Sequence, residues 1–157
     1  MNIKLIAIGK TDNKNLQSMM EEYQKRLSFY VKFDLEVIPD IKNVKNLSES
    51  QQKEKEGELI LAKIMPTDQL ILLDENGKAF SSMAFSEDLQ KKMNSGVKTL
   101  VFVIGGPYGF SDTVYAKANG KTSLSLMTFS HQLVRLFFIE QLYRGFTILK
   151  NEPYHHQ

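Results

Sequence analysis

The stretch Thr99-Leu100-Val101-Phe102-Val103-Ile104-Gly105-Gly106-Pro107 decides the fold class of this chain. Its first six residues are mostly apolar or β-branched and stop at a glycine pair, which is typical of a strand buried on both faces. A second run of this kind, 70–73, lies between Asp68 and Asp74. Strands of this type occur in parallel sheets covered by helices. The sequence therefore predicts a three-layer α/β domain with a mostly parallel sheet.

Helical and strand-like spacings of apolar residues alternate along the rest of the chain. From Leu16 to Leu27 the apolar residues follow the i, i+3, i+4, i+7, i+11 spacing of one helix face, and Asp12 is predicted to cap this helix. Ser48 and Gln51 fit a capping box at the start of the next helix. The predicted elements are strands over 2–8, 33–37, 68–74, 99–104 and 122–127, helices over 16–27, 49–65, 82–94 and 111–118, a turn over 75–78, and a last helix starting at Ser130.

Composition indicates an ordinary globular protein. The chain has 157 residues, a net charge of +2 and no cysteine, and its length predicts one domain over 1–157. Disulfides and zinc–thiolate sites are excluded, and no apolar run reaches the ~18 residues of a transmembrane helix. The N-terminal segment does not resemble a signal peptide, so we expect a cytoplasmic protein. A net charge this small neither requires nor forbids an RNA partner.

The glycine-rich segment 105–109 follows a buried strand, where open α/β sheets usually bind their ligands. Glycines in such a loop let backbone groups approach a ligand closely. The segment lacks the Gly-Lys-Ser/Thr ending of a phosphate-binding loop and the spacing of a dinucleotide fingerprint. A tight turn without any ligand would explain it equally well.

The segment 133–149 is predicted to be a helix with apolar residues nearly all the way round. Such a helix is buried on more than one side, which a dimer interface would explain. Deep burial within one chain is the alternative. Arg135, Glu140 and Arg144 interrupt the apolar surface, and Arg135 and Glu140 are positioned to pair with each other.

The polar C-terminal tail, 151–157, contains two adjacent histidines, His155 and His156. Adjacent histidines make a poor metal pair without a third ligand, so no metal site is predicted. Because the ordinary pKa of a histidine side chain lies near neutral pH, a histidine can serve as a proton acceptor or as a phosphate contact. A disordered tail is the alternative, although Pro153 and Tyr154 offer an apolar anchor.

Taken together, these residues resemble one family, the SPOUT-class large-subunit ribosomal RNA methyltransferase H family of pseudouridine N3-methyltransferases. The resemblance runs from end to end and is most specific in the C-terminal block. Tyr108 departs from the acidic residue expected in some relatives, and His156 from an expected arginine. The matching segments are Leu73-Asp74, Ile104-Gly105-Gly106-Pro107, Leu124-Ser125-Leu126-Met127-Thr128-Phe129, Leu133-Val134-Arg135, Leu142-Tyr143-Arg144 and Asn151-x-Pro153-Tyr154-His155.

This resemblance implies a trefoil-knotted α/β fold and S-adenosylmethionine as the methyl donor. It also implies a homodimer whose active site lies at the subunit interface. The implied substrate is a pseudouridine in the large-subunit RNA of an assembled ribosome. The implied donor contacts are Leu73, Gly105, Gly106, Leu124, Ser125, Leu126, Met127, Thr128 and Phe129.

Methylation at N3 requires the N3 imino proton to leave, so the chemistry predicts a nearby base or a group that favours the imidate. His155 is our first candidate for this catalytic role, followed by Tyr154 and Arg135. Two other functions are open at this point. One is a non-catalytic ribosome-associated RNA-binding protein with the same fold, and the other is a nucleotide-binding oxidoreductase, which the glycine spacing disfavours. RNA contacts are predicted at Arg144, Lys150 and His156.

Overall fold

The structure, a computed structural model, describes residues 1–156. Its centre is a five-stranded, all-parallel sheet with the strand order β2-β1-β4-β3-β5. Four α-helices and one 3₁₀ turn, Val44–Asn46, connect the strands, and a fifth α-helix follows the last strand. The strands are β1 (Asn2–Ile8), β2 (Lys32–Ile38), β3 (Gln69–Ala79), β4 (Thr99–Ile104) and β5 (Gly120–Ser123). The helices are α1 (Lys14–Leu27), α2 (Glu49–Leu61), α3 (Ser82–Asn94), α4 (Asp112–Lys117) and α5 (Leu133–Leu149).

The predicted three-layer architecture is confirmed, and the central strand β4 makes the layers visible. Its residues alternate between two buried clusters because successive side chains of a strand point to opposite faces. Leu100 and Phe102 pack in the cluster that includes residues of α1, α3 and α5. Val101 and Val103 pack in the cluster that includes residues of α2 and α4. Every residue of β4 from Leu100 onward is buried, as the apolar run predicts.

Three predicted boundaries are wrong for physical reasons that the contacts explain. Asn13, not Asp12, caps α1, because its side-chain oxygen accepts from the backbone N–H groups of residues 15 and 16. The predicted turn over 75–78 lies inside β3, which bulges after Leu73 and then pairs with β5 in a second register. The predicted strand over 122–127 ends at Ser123, and the segment that follows is a loop.

One further local prediction is confirmed, and two helix ends differ from their predictions. Ser48 and Gln51 form the predicted capping box of α2, with the Ser48 hydroxyl 3.1 Å from the Gln51 backbone nitrogen and the reciprocal bond at 2.9 Å. The helix itself ends at Leu61, earlier than predicted, and α5 begins three residues after Ser130. Within residues 1–156, no helix is long and apolar enough to cross a membrane.

One face of helix α5 is buried within the chain, and another face leaves apolar side chains exposed. Phe138, Ile139 and Leu142 are fully buried within the chain. Leu133 and Phe137, on another face, are 46% and 40% exposed. The predicted pairing of the Arg135 and Glu140 side chains is wrong. Glu140 instead accepts from Arg144. The Arg135 guanidinium, near the start of the helix, binds the backbone oxygens of Ile8 and Gly9.

Candidate donor cavity and tail network

The carboxyl ends of β3, β4 and β5 meet at one edge of the sheet and enclose a cavity of about 510 Å³. Because all strands are parallel, the loops that follow them emerge at this same edge. The end of β3 (73–76), the loop after β4 (104–110) and the segment 122–129 line the cavity, and His131 and Val134 complete it. We refer to it as the donor cavity.

Nearly all of the predicted donor contacts line this cavity. The exception is Leu126, whose side chain is 97% exposed and does not line the cavity. Glycines, polar side chains and large apolar side chains all contribute to its lining. The predicted residues that line it are Leu73, Gly105, Gly106, Leu124, Ser125, Met127, Thr128 and Phe129.

Two glycines are required by close approach at this edge of the sheet. A Cβ atom on Gly106 would lie 2.5 Å from the carboxylate Oε1 of Glu56, and one on Gly77 would lie 2.6 Å from the backbone nitrogen of Thr122. Real Cβ atoms do not approach other atoms this closely, so a larger residue would displace the loop or its neighbour. The loop after β4 is therefore held against α2, and the bulge of β3 against β5.

Glu56 of α2 is the side chain behind Gly106. It is only 3% exposed, and within residues 1–156 its Oε1 has no hydrogen-bond partner. Gln52 donates a long 3.5 Å bond to the other oxygen, Oε2. Burial raises the pKa of the Glu56 carboxyl, and the nearby Asp40 carboxylate raises it further. Sequence reasoning missed this residue because it lies in a charged segment that resembles a solvated surface.

Asp74 and Tyr115 form a polar pair at the rim of the donor cavity. The Tyr115 hydroxyl donates to the Asp74 carboxylate, which also accepts from the backbone N–H of Asn76 at 2.8 Å. Burial, followed by the bond to Asp74, raises the pKa of Tyr115 to about 12. The hydroxyl is therefore a hydrogen-bond donor at neutral pH. Asp74 was identifiable from the sequence as an acid that ends an apolar strand, whereas nothing in the sequence pointed to Tyr115.

A second set of polar side chains lies where the C-terminal tail packs against α5. Glu140 Oε1 accepts from Arg144 Nη2 at 2.6 Å and from the Tyr154 hydroxyl at 2.8 Å. Arg144 Nη1 lies 3.2 Å from His155 Nδ1. These four residues, Glu140, Arg144, Tyr154 and His155, are the tail network. The i, i+4 spacing of Glu140 and Arg144 was the sequence signal for this pair.

Aromatic rings fix the tail in place, in contrast to the disordered alternative. The Tyr154 ring packs edge-on against Tyr143 with centroids 4.7 Å apart, and the Arg144 guanidinium lies 4.7 Å above the Tyr154 ring. The Tyr154 hydroxyl also lies 3.2 Å from the Tyr23 hydroxyl of α1. Burial and these two hydroxyl contacts, to Tyr23 and Glu140, raise the pKa of Tyr154 far above its usual value. Tyr154 is therefore a donor and not a proton acceptor at neutral pH.

Arg135, the third catalytic candidate, lies in neither place. It is 1% exposed, and its guanidinium donates to the backbone oxygens of Ile8 at 2.8 Å and Gly9 at 2.7 Å, and to the Thr11 hydroxyl. Its Nε donates to the backbone oxygen of His131 in the donor cavity wall. These bonds tie the first turn of α5 to the loop after β1. Arg135 therefore has a supporting role in this chain.

Most of the tail network lies away from the donor cavity along α5, whereas Glu140 lines a second, adjoining cavity that shares Leu124 and Phe129 with it. Val134 lines the cavity, and Arg144, which contacts His155, follows ten residues later, about 15 Å along the helix axis at 1.5 Å per residue. Tyr154 and His155 do not line the cavity. Of the predicted RNA contacts, Arg144 is half-buried in the tail network, and Lys150 and His156 are exposed.

A family model described as "Predicted SPOUT methyltransferase" matches residues 1–155. The chain belongs to the SPOUT methyltransferase family. The family fold implies a trefoil knot and a methyl donor of the S-adenosylmethionine type.

Individual relatives match over the full length of both chains. Proteins of Flavobacterium johnsoniae and Flavobacterium psychrophilum are each 85% identical over all 157 residues, and both are named "Ribosomal RNA large subunit methyltransferase H". A protein of Christiangramia forsetii with the same name is 64% identical, again over the whole of both chains.

Proposed function

We propose that this chain, as a single domain, methylates N3 of a pseudouridine in large-subunit ribosomal RNA, with S-adenosylmethionine as the methyl donor. The observation that carries the proposal is the 85% identity, from the first residue to the last, to two relatives whose name states large-subunit ribosomal RNA methylation. The pseudouridine, its N3 position and the assembled, cytoplasmic ribosome as substrate follow from the resemblance described above.

The donor cavity fits the proposed methyl donor in size and character. Its volume of about 510 Å³ falls within the roughly 300–1,000 Å³ of small-molecule sites. Gly105 and Gly106 leave backbone groups accessible to an adenosine, and Leu73, Leu124 and Phe129 supply apolar wall. When bound, S-adenosylmethionine supplies an activated methyl group with its own leaving group. The chain's part is to hold the donor and to exclude water around it.

The separation of the two sites supports a homodimer. Reacting atoms must come within about 3–3.5 Å, whereas His155 contacts Arg144, which lies about 15 Å along the α5 axis from Val134 in the cavity wall. A second copy whose tail reaches this cavity would bring the two together. Exposed apolar side chains next to the cavity suit such an interface. They are Leu126 at 97%, Met127 at 78%, Leu133 at 46% and Phe137 at 40% exposure.

In this proposal the tail network contacts the acceptor base. His155 and Tyr154 are the catalytic candidates that can reach RNA, because both are partly exposed. Arg135 is assigned a positioning role, since four of the five N–H donors of its guanidinium bind oxygens of the chain. Arg144, Lys150 and His156 supply positive or donor groups for RNA phosphates.

The test is methylation of ribosomes purified from cells that lack this gene, followed by mass spectrometry of the large-subunit RNA. We expect one added methyl group at N3 of a pseudouridine. The His155→Ala variant should lose most of its turnover and keep its affinity for S-adenosylmethionine in calorimetry. An identical modification map with and without the protein would reject the proposal, and ribosome binding without methylation would indicate a non-catalytic binding protein.

A further inference from the structure

The contact between Arg144 and His155 determines which ring nitrogen of His155 carries a proton. Arg144 Nη1 lies 3.2 Å from His155 Nδ1. A guanidinium carries only N–H donors and stays protonated in proteins, so it cannot accept a hydrogen bond. The contact is therefore a hydrogen bond only if Nδ1 is the acceptor and carries no proton. A neutral imidazole with a bare Nδ1 carries its proton on Nε2.

The other two protonation states of His155 conflict with this geometry. The Nδ1–H tautomer would point an N–H at the N–H of Arg144. The doubly protonated imidazolium would do the same and would add a second positive charge at 3.2 Å. Neither state allows the hydrogen bond. The neutral Nε2–H tautomer is the state that fits.

Arg144 is held firmly enough to impose this choice. Its Nη2 donates to Glu140 at 2.6 Å, in an i, i+4 pair whose side chains are only 24% and 18% exposed. Its guanidinium also lies 4.7 Å above the Tyr154 ring, and Tyr154 itself donates to Glu140. The arginine is thus fixed from two sides. Within residues 1–156, the Nε2 of His155 has no hydrogen-bond partner, and the side chain is partly exposed.

We propose that Arg144 is a positioning residue that holds His155 in the Nε2–H tautomer, so that His155 donates a hydrogen bond to a carbonyl oxygen of the acceptor base. This proposal rests on the proposed function. It replaces the proton-acceptor role for His155, because in this state the exposed nitrogen carries a proton and the bare nitrogen is occupied by Arg144. The N3 proton leaves to solvent water. The resulting negative charge spreads over N3 and the carbonyl oxygens, where an N–H donor stabilises it.

Nitrogen NMR of the ligand-free protein tests the tautomer directly. The chain contains three histidines, so three sets of imidazole signals are expected, and the His155→Gln variant assigns the one that belongs to His155. At mildly alkaline pH we expect a protonated Nε2 and an unprotonated Nδ1. A proton on Nδ1, or equal populations of the two tautomers, would overturn the proposal. This readout does not depend on RNA or on methylation.

Two substitutions of His155 separate a donor from a proton acceptor. The Gln side chain carries an N–H near the position of Nε2 but has no basic nitrogen. If His155 donates, His155→Gln should turn over at least about tenfold faster than His155→Ala, since a hydrogen bond to a charged group contributes about 1.5–3 kcal/mol. If the His155→Gln variant turns over as slowly as His155→Ala, His155 does not act as a hydrogen-bond donor. The affinity for S-adenosylmethionine, measured by calorimetry, should be equal in both variants.

Variants of Arg144 test its part. Arg144→Lys keeps an N–H donor and should preserve the single tautomer of His155. Arg144→Met should give a mixture of the two tautomers. It should also lower kcat, by a factor about ten times larger than its effect on KM. A locked Nε2–H tautomer in Arg144→Met would remove Arg144 from the proposal. If the unaltered protein left large-subunit RNA unmethylated, the proposed function would fail, while the NMR result would still decide the tautomer.

Discussion

The donor cavity and the tail network differ in the parts of the chain that form them. The cavity is formed by the ends of three strands and by the loops that follow them. Among its supports, Gly106 packs against the buried Glu56 side chain and Arg135 bonds to backbone oxygens. The tail network consists of four side chains joined by hydrogen bonds near the surface. Damage to the first should therefore cost stability and donor affinity together. Damage to the second should cost turnover with the fold intact.

Two arginines of α5 illustrate this difference within one helix. Arg135 is 1% exposed, and burial lowers the pKa of its guanidinium, yet its bonds to backbone oxygens keep it satisfied. The side chain of Arg144 is 24% exposed and pairs with another side chain, Glu140. The first arginine belongs to the framework of the donor cavity. The second belongs to the side-chain contacts of the tail network.

The largest effect is expected for Arg135→Met. This change leaves the backbone oxygens of Ile8 and Gly9 without their donor near the buried guanidinium, and an orphaned buried acceptor costs roughly 1–3 kcal/mol. We expect the free energy of unfolding in urea to fall by about 3 kcal/mol or more. Arg144→Met is the matched control on the same helix and should lose about 1 kcal/mol. Equal losses in the two variants would contradict the contrast between the sites.

Gly106→Ala should weaken donor binding by forcing the loop after β4 away from α2. The new Cβ would lie 2.5 Å from Glu56 Oε1, and overpacking of this kind costs about 1–3 kcal/mol. Calorimetry should show a loss of S-adenosylmethionine affinity of about tenfold or more. Shortening the opposing side chain in Gly106→Ala/Glu56→Ala should restore much of it. A double variant as weak as the single one would mean that Glu56 does not hold this loop.

Features set by the local sequence pattern could be predicted, and features set by contacts between distant segments could not. The sheet, its buried strands and the cavity residues were predictable because apolar periodicity and strand ends determine them, as in 99–104 and Gly105-Gly106. The bulge of β3 was not, since it depends on pairing with β5 more than forty residues later. The role of Arg135 was also hidden. Its backbone partners, Ile8 and Gly9, are set by the fold and leave no mark in the local sequence.

Tyr154→Phe should separate turnover from donor binding. It removes the hydroxyl that donates to Glu140 at 2.8 Å, a bond that contributes about 1 kcal/mol. The ring, its packing on Tyr143 and the stacked Arg144 remain. We expect kcat to fall about fivefold, while the affinity for S-adenosylmethionine stays unchanged. A loss of donor affinity instead would link the tail to the cavity within one chain.

The smallest effect, and the only gain, is expected for Glu56→Gln. The pKa of Glu56 is raised by burial above its ordinary 4.5, so the folded protein binds this proton more tightly than the unfolded chain. Stability from this group is complete below pH 4.5 and is lost as the pH rises through the folded-state pKa. Glutamine removes that loss, and the free energy of unfolding at neutral pH should rise. Glu54→Gln, exposed on the same helix, should leave the pH dependence unchanged. A lower stability of Glu56→Gln at neutral pH would mean that the charged carboxylate stabilises the wall of the donor cavity, although Oε1 has no partner among residues 1–156.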